Sequence, residues 1–219
     1  MAAPAGNAGM RYRTSDFRDP SQGIYMRTIT KRILVSAIAA AALAAGAVNG
    51  KECKGVSFPD QAQIEGGSLT LNGLGLRQAT FLKVNVYVAA LYVTKTSSDP
   101  KALLGAGTPT ELVLHFVRDV GASDLTKGWD EGFANNSGNE LPALKDRIAM
   151  LNGWMADVKS GQRLTFVIKP GGGVQVDLNG TVKGTIKGDD FAKAFLSIWL
   201  GAKPPNPEIK AGMLGGACE

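Results

Sequence analysis

The chain has 219 residues, of which 44% are hydrophobic, 20% charged and 7% aromatic. This composition fits one folded domain or two small ones, since a disordered chain is poorer in apolar residues and a multi-span membrane protein is richer. The formal net charge is +5, but residues 1–50 hold six basic and two acidic residues, whereas residues 51–219 hold 18 and 17. The part expected to fold is therefore nearly neutral, which argues against a nucleic-acid-binding surface.

Residues 26–50 have the three parts of a secretory signal peptide. A basic start after Met26 leads into an uncharged, alanine-rich stretch over residues 33–45, and Ala45-Gly46-Ala47 supplies small residues for cleavage. A transmembrane helix needs about 20 strongly apolar residues, more than this stretch contains. We predict cleavage, a periplasmic or secreted location and no stable membrane anchor; a signal anchor that stays uncut is the alternative.

Residues 1–25 are polar, contain two prolines and show no periodicity. A signal peptide normally begins at its own initiator, so we expect Met26 to be the true start and residues 1–25 to be an over-extended gene model. A long disordered leader is the alternative. The predicted folded domain is residues 51–219.

Period-two alternation predicts strands in the first half of this domain. Residues 68–71 alternate, and Asn72-Gly73 is typical of a turn. Residues 81–93 have one wholly apolar parity, which predicts a long half-buried strand. Residues 111–117 predict another strand.

Helical spacing follows. Leu125, Trp129 and Phe133 recur at every fourth residue and predict a helix capped by Ser123 or Asp124. A second amphipathic helix, with Asn139 as a candidate cap, leads to three strands at 163–168, 174–178 and 181–186 and to a last helix at 189–200. This order favours an α+β domain with a mainly antiparallel sheet and helices packed on one side.

Few residues suggest metal or nucleophilic chemistry. The lone His115 lies in a predicted strand without Cys or His neighbours, so we predict an ordinary sheet residue, no metal site and no cofactor. Cys53 and Cys218 lie near the two ends of the domain and can pair in an oxidising compartment; two unrelated thiols are the alternative.

A polar set lies on the first long strand. Lys83, Asn85 and Tyr87 share a parity there, and Arg77 lies just before the strand. Arginine is the natural partner of a carboxylate or a polarised ketone. These residues predict either a ligand site or a solvated sheet face.

The ordered set of short motifs resembles the chalcone isomerase-like family over about residues 54–215. The motifs are those at residues 55–60, 71–77 and 81–92, and those at 116–120, 128–133 and 198–201 resemble its bacterial, secreted branch. The resemblance implies an open-faced β-sandwich, in which a large, mainly antiparallel sheet carries helices on one side with a ligand cleft between them.

The resemblance also implies site residues. Arg77 matches the arginine that plant members use to polarise or position a chalcone during its cyclisation to a flavanone. Two threonines of those enzymes fall at Tyr87 and Ile198, and isoleucine cannot hydrogen-bond a flavonoid hydroxyl. We therefore expect Arg77, Tyr87 and Ile198 to be ligand-binding residues and assign no catalytic residue.

Three functions follow from the resemblance. The first is binding of a small amphipathic carboxylate, such as a fatty acid, in an apolar cleft, as in family members without isomerase activity. The alternative is an isomerase of intramolecular lyase type acting on an unidentified enone or phenolic substrate. The third is a structural or partner-binding envelope protein with a filled cleft, in which aromatic side chains pack where the pocket would be and Arg77 pairs with a protein carboxylate. The sequence does not identify a protein partner.

Overall fold

The computed structural model describes residues 50–105 and 107–218. These residues form a compact unit. The leader predicted at residues 1–25, and the signal peptide predicted at 26–50 except for Gly50, lie outside the described residues.

The fold is built on a large antiparallel sheet. A separate two-stranded hairpin comprises β1 (Gly50–Cys53) and β2 (Val56–Pro59). The main sheet has seven strands in chain order, every neighbouring pair antiparallel: β3 (Gln61–Ile64), β4 (Gly67–Ala79), β5 (Val84–Val93), β6 (Thr110–Phe116), β7 (Arg163–Lys169), β8 (Gly173–Leu178) and β9 (Thr181–Ile186).

Helices pack on one face of this sheet, so the α+β class is confirmed. They are α1 (Pro100–Gly105), α2 (Ala122–Asn136), α3 (Leu141–Gly153), α4 (Asp189–Leu200) and α5 (Pro207–Met213), with a 3-10 turn at Gly138–Glu140. Helix α4 is the central one, and nine of its residues are buried. It matches the predicted last helix residue for residue, although α5 follows it and was not predicted.

Strand β5 is buried on both faces, so the prediction of a half-buried strand was wrong. Ala89 and Leu91 pack into the core under the helices. Val88 and Ala90 pack into a second core on the opposite face, where Phe58 of the β1–β2 hairpin covers them. The alternation of residues along β5 predicts one buried and one exposed face, but the β1–β2 hairpin covers the second face and buries it as well.

Two further predictions on β4 and β5 were wrong. Strand β5 begins at Val84, and residues 81–83 form a turn. Asn72 and Gly73 do not form a turn; they lie inside β4, where a register shift makes Asn72 a bulge residue. The Asn72 side chain donates to the carbonyl oxygens of Ser97 (3.0 Å) and Met213 (2.7 Å), which ties β4 to the carboxy-terminal segment.

Two glycines of β4 explain how the unpredicted helix α5 reaches the sheet. A Cβ atom at Gly75 would lie 2.8 Å from Cγ1 of Ile209, and one at Gly73 would meet the backbone of Gly212. Only glycine allows this close approach.

Helix caps were predicted less well than strands. Helix α2 begins after Gly121, with Ser123 and Asp124 already inside it, and α3 begins after Glu140 instead of Asn139. The amide of Ala122 is satisfied by the carboxylate of Asp157 at 2.9 Å, a partner 35 residues away that a local capping rule does not consider.

The two cysteines are joined in a disulfide between β1 and the carboxy-terminal segment, with 5.8 Å between the Cα atoms of Cys53 and Cys218. His115 lies within β6, as predicted, and its Nδ1 accepts a hydrogen bond from Nε of Arg163 at 3.1 Å. Among the described residues, no helix is both long enough and apolar enough to cross a membrane.

Candidate functional site

A cavity of about 580 Å³ lies between the β4–β5 end of the sheet and helices α2 and α4. Arg77, Tyr87 and Ile198 all line it, so the structure brings the three predicted ligand-binding residues together. The volume falls within the range of about 300–1,000 Å³ that is usual for small-molecule pockets.

A β-bulge shapes one wall of the cavity. Arg77 pairs with Tyr87 across the antiparallel strands, whereas the next pair joins Gln78 to Asn85, which leaves Val86 as the extra residue. A bulge re-aims neighbouring side chains, and here both Val86 and Tyr87 line the cavity.

The polar set predicted on this strand does not form one surface. Lys83 lies in the turn, with its Nζ 3.7 Å from Oε1 of Glu208. The side chain of Asn85 accepts a hydrogen bond from Nε2 of Gln78 at 3.1 Å. Neither lines the cavity, so Tyr87 is the member of the set that belongs to the site.

A side chain of helix α4 fixes the position of the Tyr87 phenol. Its hydroxyl oxygen accepts a hydrogen bond from Nε1 of Trp199 at 3.0 Å, and the residue is only 6% exposed. Burial raises the pKa of Tyr87, while the Trp199 hydrogen bond and the charge of Arg77 act in the opposite direction more weakly. The phenol therefore stays protonated at neutral pH and keeps one O–H donor.

Arg77 is half-buried and has no counter-ion in the described part of the chain. Its Nη1 donates to the carbonyl oxygen of Gln78. Among the described residues, no carboxylate oxygen lies within 4.0 Å of its guanidinium nitrogens. A guanidinium offers five N–H donors, so most of its capacity is unused. The carboxylate pairing that a filled-cleft structural protein would require is not present in this region.

The rim of the cavity carries charges of both signs. Arg118 and Lys203 are exposed cations that line it. The carboxylate of Asp119 accepts hydrogen bonds from the amide of Ser160 and from Nζ of Lys159, each at 2.9 Å. These two bonds lower the pKa of Asp119. Because Asp119 is occupied, it does not neutralise Arg77.

The inner wall is apolar. Ile198 is 1% exposed and packs against Gly132 of α2, where a Cβ atom would lie 2.6 Å from its Cγ2. Trp129 also lines the cavity, and its Nε1 is buried without a hydrogen-bond partner among the described residues. A buried N–H without an acceptor is uncommon and is often explained by a missing water or ligand.

The sequence did not single out Val86, Trp129 and Trp199 as site residues. Trp129 appeared as a core position of a helix, and Trp199 appeared in a family motif. A bulge and a contact between residues 112 positions apart leave no periodic signal, so only the folded chain reveals them.

The site places the half-buried cation of Arg77 beside an apolar inner wall, and the other charged residues that line the cavity are exposed. Within the described residues, no group of three His, Cys, Asp or Glu side chains is placed to hold a metal ion. The arrangement can bind an anionic group at Arg77 and bury an attached apolar body against α2 and α4.

Comparisons with known proteins agree with this architecture. The crystal structure of a fatty-acid binding protein from Arabidopsis thaliana matches with a TM-score of 0.59 and 16% sequence identity, covering 73% of this chain and 92% of that one. At that identity the likeness shows a shared fold. No curated protein matches the sequence. A family model described as chalcone isomerase-like matches residues 50–215, which is most of the chain. The chain belongs to the chalcone isomerase-like family.

Proposed function

We propose that this protein binds a small amphipathic carboxylate of the fatty-acid type in the cavity at Arg77, in the periplasm or outside the cell. The observation that carries the proposal is the half-buried guanidinium of Arg77, which faces the cavity without a carboxylate partner among the described residues. A ligand carboxylate would supply the missing counter-ion, and Arg–carboxylate pairs are among the stronger hydrogen-bonded contacts in proteins.

The walls of the cavity suit the apolar part of such a ligand. Val86, Leu125, Trp129 and Ile198 line the inner region, and a pocket of this kind, with a few convergent polar groups, is the expected form of a small-molecule site. Tyr87 is the cross-strand partner of Arg77 and lines the same cavity, so its O–H is a candidate second donor to the headgroup. The structural neighbour from Arabidopsis thaliana is a fatty-acid binding protein, which supports the choice of ligand class.

The alternative function, an isomerase of intramolecular lyase type, uses the same pair of residues. Arg77 would polarise an enone carbonyl, and Tyr87 would act as an acid. Burial raises the pKa of Tyr87, which makes the phenol a weak acid, and the hydrogen bond from Trp199 holds its oxygen in place; both favour binding over proton transfer.

Native mass spectrometry of the purified full chain tests the proposal, followed by solvent extraction and identification of any co-purified ligand. We expect a bound fatty acid in the wild type that is lost in Arg77→Ala. Arg163→Ala is the matched control, because Arg163 lies on β7, donates to His115 and does not line the cavity.

A ligand that stays bound in Arg77→Ala would place the site elsewhere. A ligand-free protein that fails to take up added dodecanoate but converts an enone would favour the isomerase.

A further inference from the structure

The turn between β4 and β5 exposes two large apolar side chains side by side. Phe81 is 92% exposed and Leu82 is 70% exposed. Two other large hydrophobic residues are exposed in the described part of the chain, Met150 at 48% and Val182 at 57%, and each of them stands alone in the sequence. Single exposed apolar residues are ordinary on protein surfaces, whereas an adjacent pair at the tip of a hairpin is not. We call residues 80–83 the apolar tip.

The apolar tip is a tight turn with an unusual backbone. Thr80 and Lys83, which flank the pair, both have positive φ angles, 62° and 50°. A positive φ is uncommon for any residue other than glycine and is strained for a β-branched one such as Thr80. The amide of Lys83 donates to the carbonyl oxygen of Thr80 at 3.2 Å, which closes the turn. Strain of this kind persists where the local structure serves a function.

The apolar tip adjoins the cavity. Ala79 and Thr80 line the cavity directly before Phe81. The exposed residues that line the same cavity carry both signs, with the cations Arg118, Lys127 and Lys203 beside the carboxylates Asp119, Asp124 and Glu131. Within the tip itself the charge is that of Lys83, which is 70% exposed and lies 3.7 Å from Glu208. Apolar side chains next to exposed cations form the pattern that favours an anionic membrane surface, since the side chains insert and the cations meet the headgroups.

We propose that the apolar tip docks this protein reversibly on an anionic lipid surface. Phe81 and Leu82 enter the headgroup–acyl boundary, and the mouth of the cavity comes to lie against the lipid. The choice of lipid as partner rests in part on the proposed function, because an amphipathic carboxylate partitions into membranes and must be taken from them or returned to them.

The size of the tip also favours lipid over a protein partner. A stable protein interface buries about 800 Å² on each side, far more than two side chains on a narrow hairpin present. A lipid surface requires no matching shape, and an aromatic residue beside an aliphatic one suits its interface.

The test is co-sedimentation of the full chain with vesicles of phosphatidylglycerol and phosphatidylcholine in equal parts. The double variant Phe81→Ser/Leu82→Ser should bind about 100-fold more weakly than the wild type or less tightly still, since each buried side chain contributes about a factor of ten or more. The matched control is Met150→Ser/Val182→Ser, which removes the other two exposed hydrophobic side chains and should bind as the wild type does. Both variants carry the same amino-terminal segment, so its contribution cancels.

A second variant reports the geometry of insertion. After subtraction of the wild-type emission, which comes from Trp129, Trp154 and Trp199, the Phe81→Trp variant should show a blue-shifted indole signal on these vesicles and no blue shift on vesicles of phosphatidylcholine at high salt. Equal vesicle binding by the two serine variants, or an indole that stays in water, would overturn the proposal.

The outcome is independent of ligand binding. Phe81→Ser/Leu82→Ser should bind dodecanoate in solution as the wild type does. Dodecanoate binding without vesicle binding would refute docking and leave the proposed function standing. Vesicle binding through the tip without dodecanoate binding would refute the proposed function and leave docking standing.

Discussion

Trp199 donates its indole N–H to the hydroxyl oxygen of Tyr87 across 3.0 Å, and this hydrogen bond joins helix α4 to strand β5 at the wall of the cavity. Both residues are almost fully buried. The bond fixes the phenol opposite Arg77, its pairing partner on β4, so the helix that supplies Ile198 also orients the polar end of the site.

The variant Tyr87→Phe should lower the free energy of unfolding by about 1–3 kcal/mol, because it leaves the buried N–H of Trp199 without an acceptor. Chemical denaturation of Tyr87→Phe, Trp199→Phe and the double variant measures the coupling between the two residues. The double variant should lose less than the sum of the single variants; strictly additive losses would show that the bond contributes nothing.

Gly132 lets α2 approach α4, so Gly132→Ala should destabilise the protein by about 1–3 kcal/mol through overpacking. Its new Cβ would meet Cγ2 of Ile198 at 2.6 Å, and a β-branched side chain on a helix has little freedom to move aside. The matched control is Gly128→Ala on the same helix, where nothing lies within 4 Å of the added atom. That control should stabilise by about 0.5–1 kcal/mol, as alanine does in an open helix position. Equal melting shifts of the same sign in the two variants would contradict this packing.

Removing the disulfide with Cys53→Ala/Cys218→Ala should cost about 2–4 kcal/mol of unfolding free energy, because the bond closes a long loop in the unfolded chain. A reductant should lower the melting temperature of the wild type and leave that of the double variant unchanged. If unfolding the wild type in the presence of reductant leaves its melting temperature unchanged, the two thiols are not paired.

The ion pair between Arg147 and Asp190 should make stability fall in acid. Two hydrogen bonds of 2.7 and 2.6 Å from Arg147 lower the pKa of Asp190 from 3.8 to about 2. Because the folded pKa is the lower one, this stabilisation is present above pH 4 and is lost as the pH falls towards 2. The pair is partly exposed, so its contribution is at most about 1 kcal/mol.

Unfolding free energies measured from pH 5 to pH 2 should therefore fall less steeply in Asp190→Asn than in the wild type. Asp146→Asn on α3 is the control, since Asp146 makes no ion pair among the described residues. An identical slope in Asp190→Asn and the wild type would show that the pair contributes nothing.

Two elements in the second half of the domain, β9 and α4, were predicted closely because local rules decide them. Asn179-Gly180 adopts the two positive φ angles that a tight hairpin requires, 51° and 84°, and β9 was predicted with its observed bounds. Helix α4 has a strong apolar face and ends before Gly201, and both ends were predicted.

The first half was predicted less well because distant contacts decide it. The β1–β2 hairpin buries a face of β5 that the sequence pattern predicts to be exposed. The side chain of Asn72, which the sequence pattern places in a turn, donates hydrogen bonds to the carbonyl oxygens of Ser97 and Met213 instead. Family likeness predicted Arg77, Tyr87 and Ile198 as ligand-binding residues, and all three line one cavity. Its bulge at Val86 and its hydrogen bond from Trp199 arise only from tertiary structure.

Calorimetric titration with dodecanoate and dodecanol tests the central claim most directly. The two ligands share an apolar chain and differ in the carboxylate that Arg77 is proposed to bind. The wild type should prefer dodecanoate by about 10-fold to 100-fold, the usual contribution of a hydrogen bond to a charged group, and Arg77→Ala should lose this preference while keeping its melting temperature. A preference that survives in Arg77→Ala, or a wild type that binds neither ligand, would contradict the account.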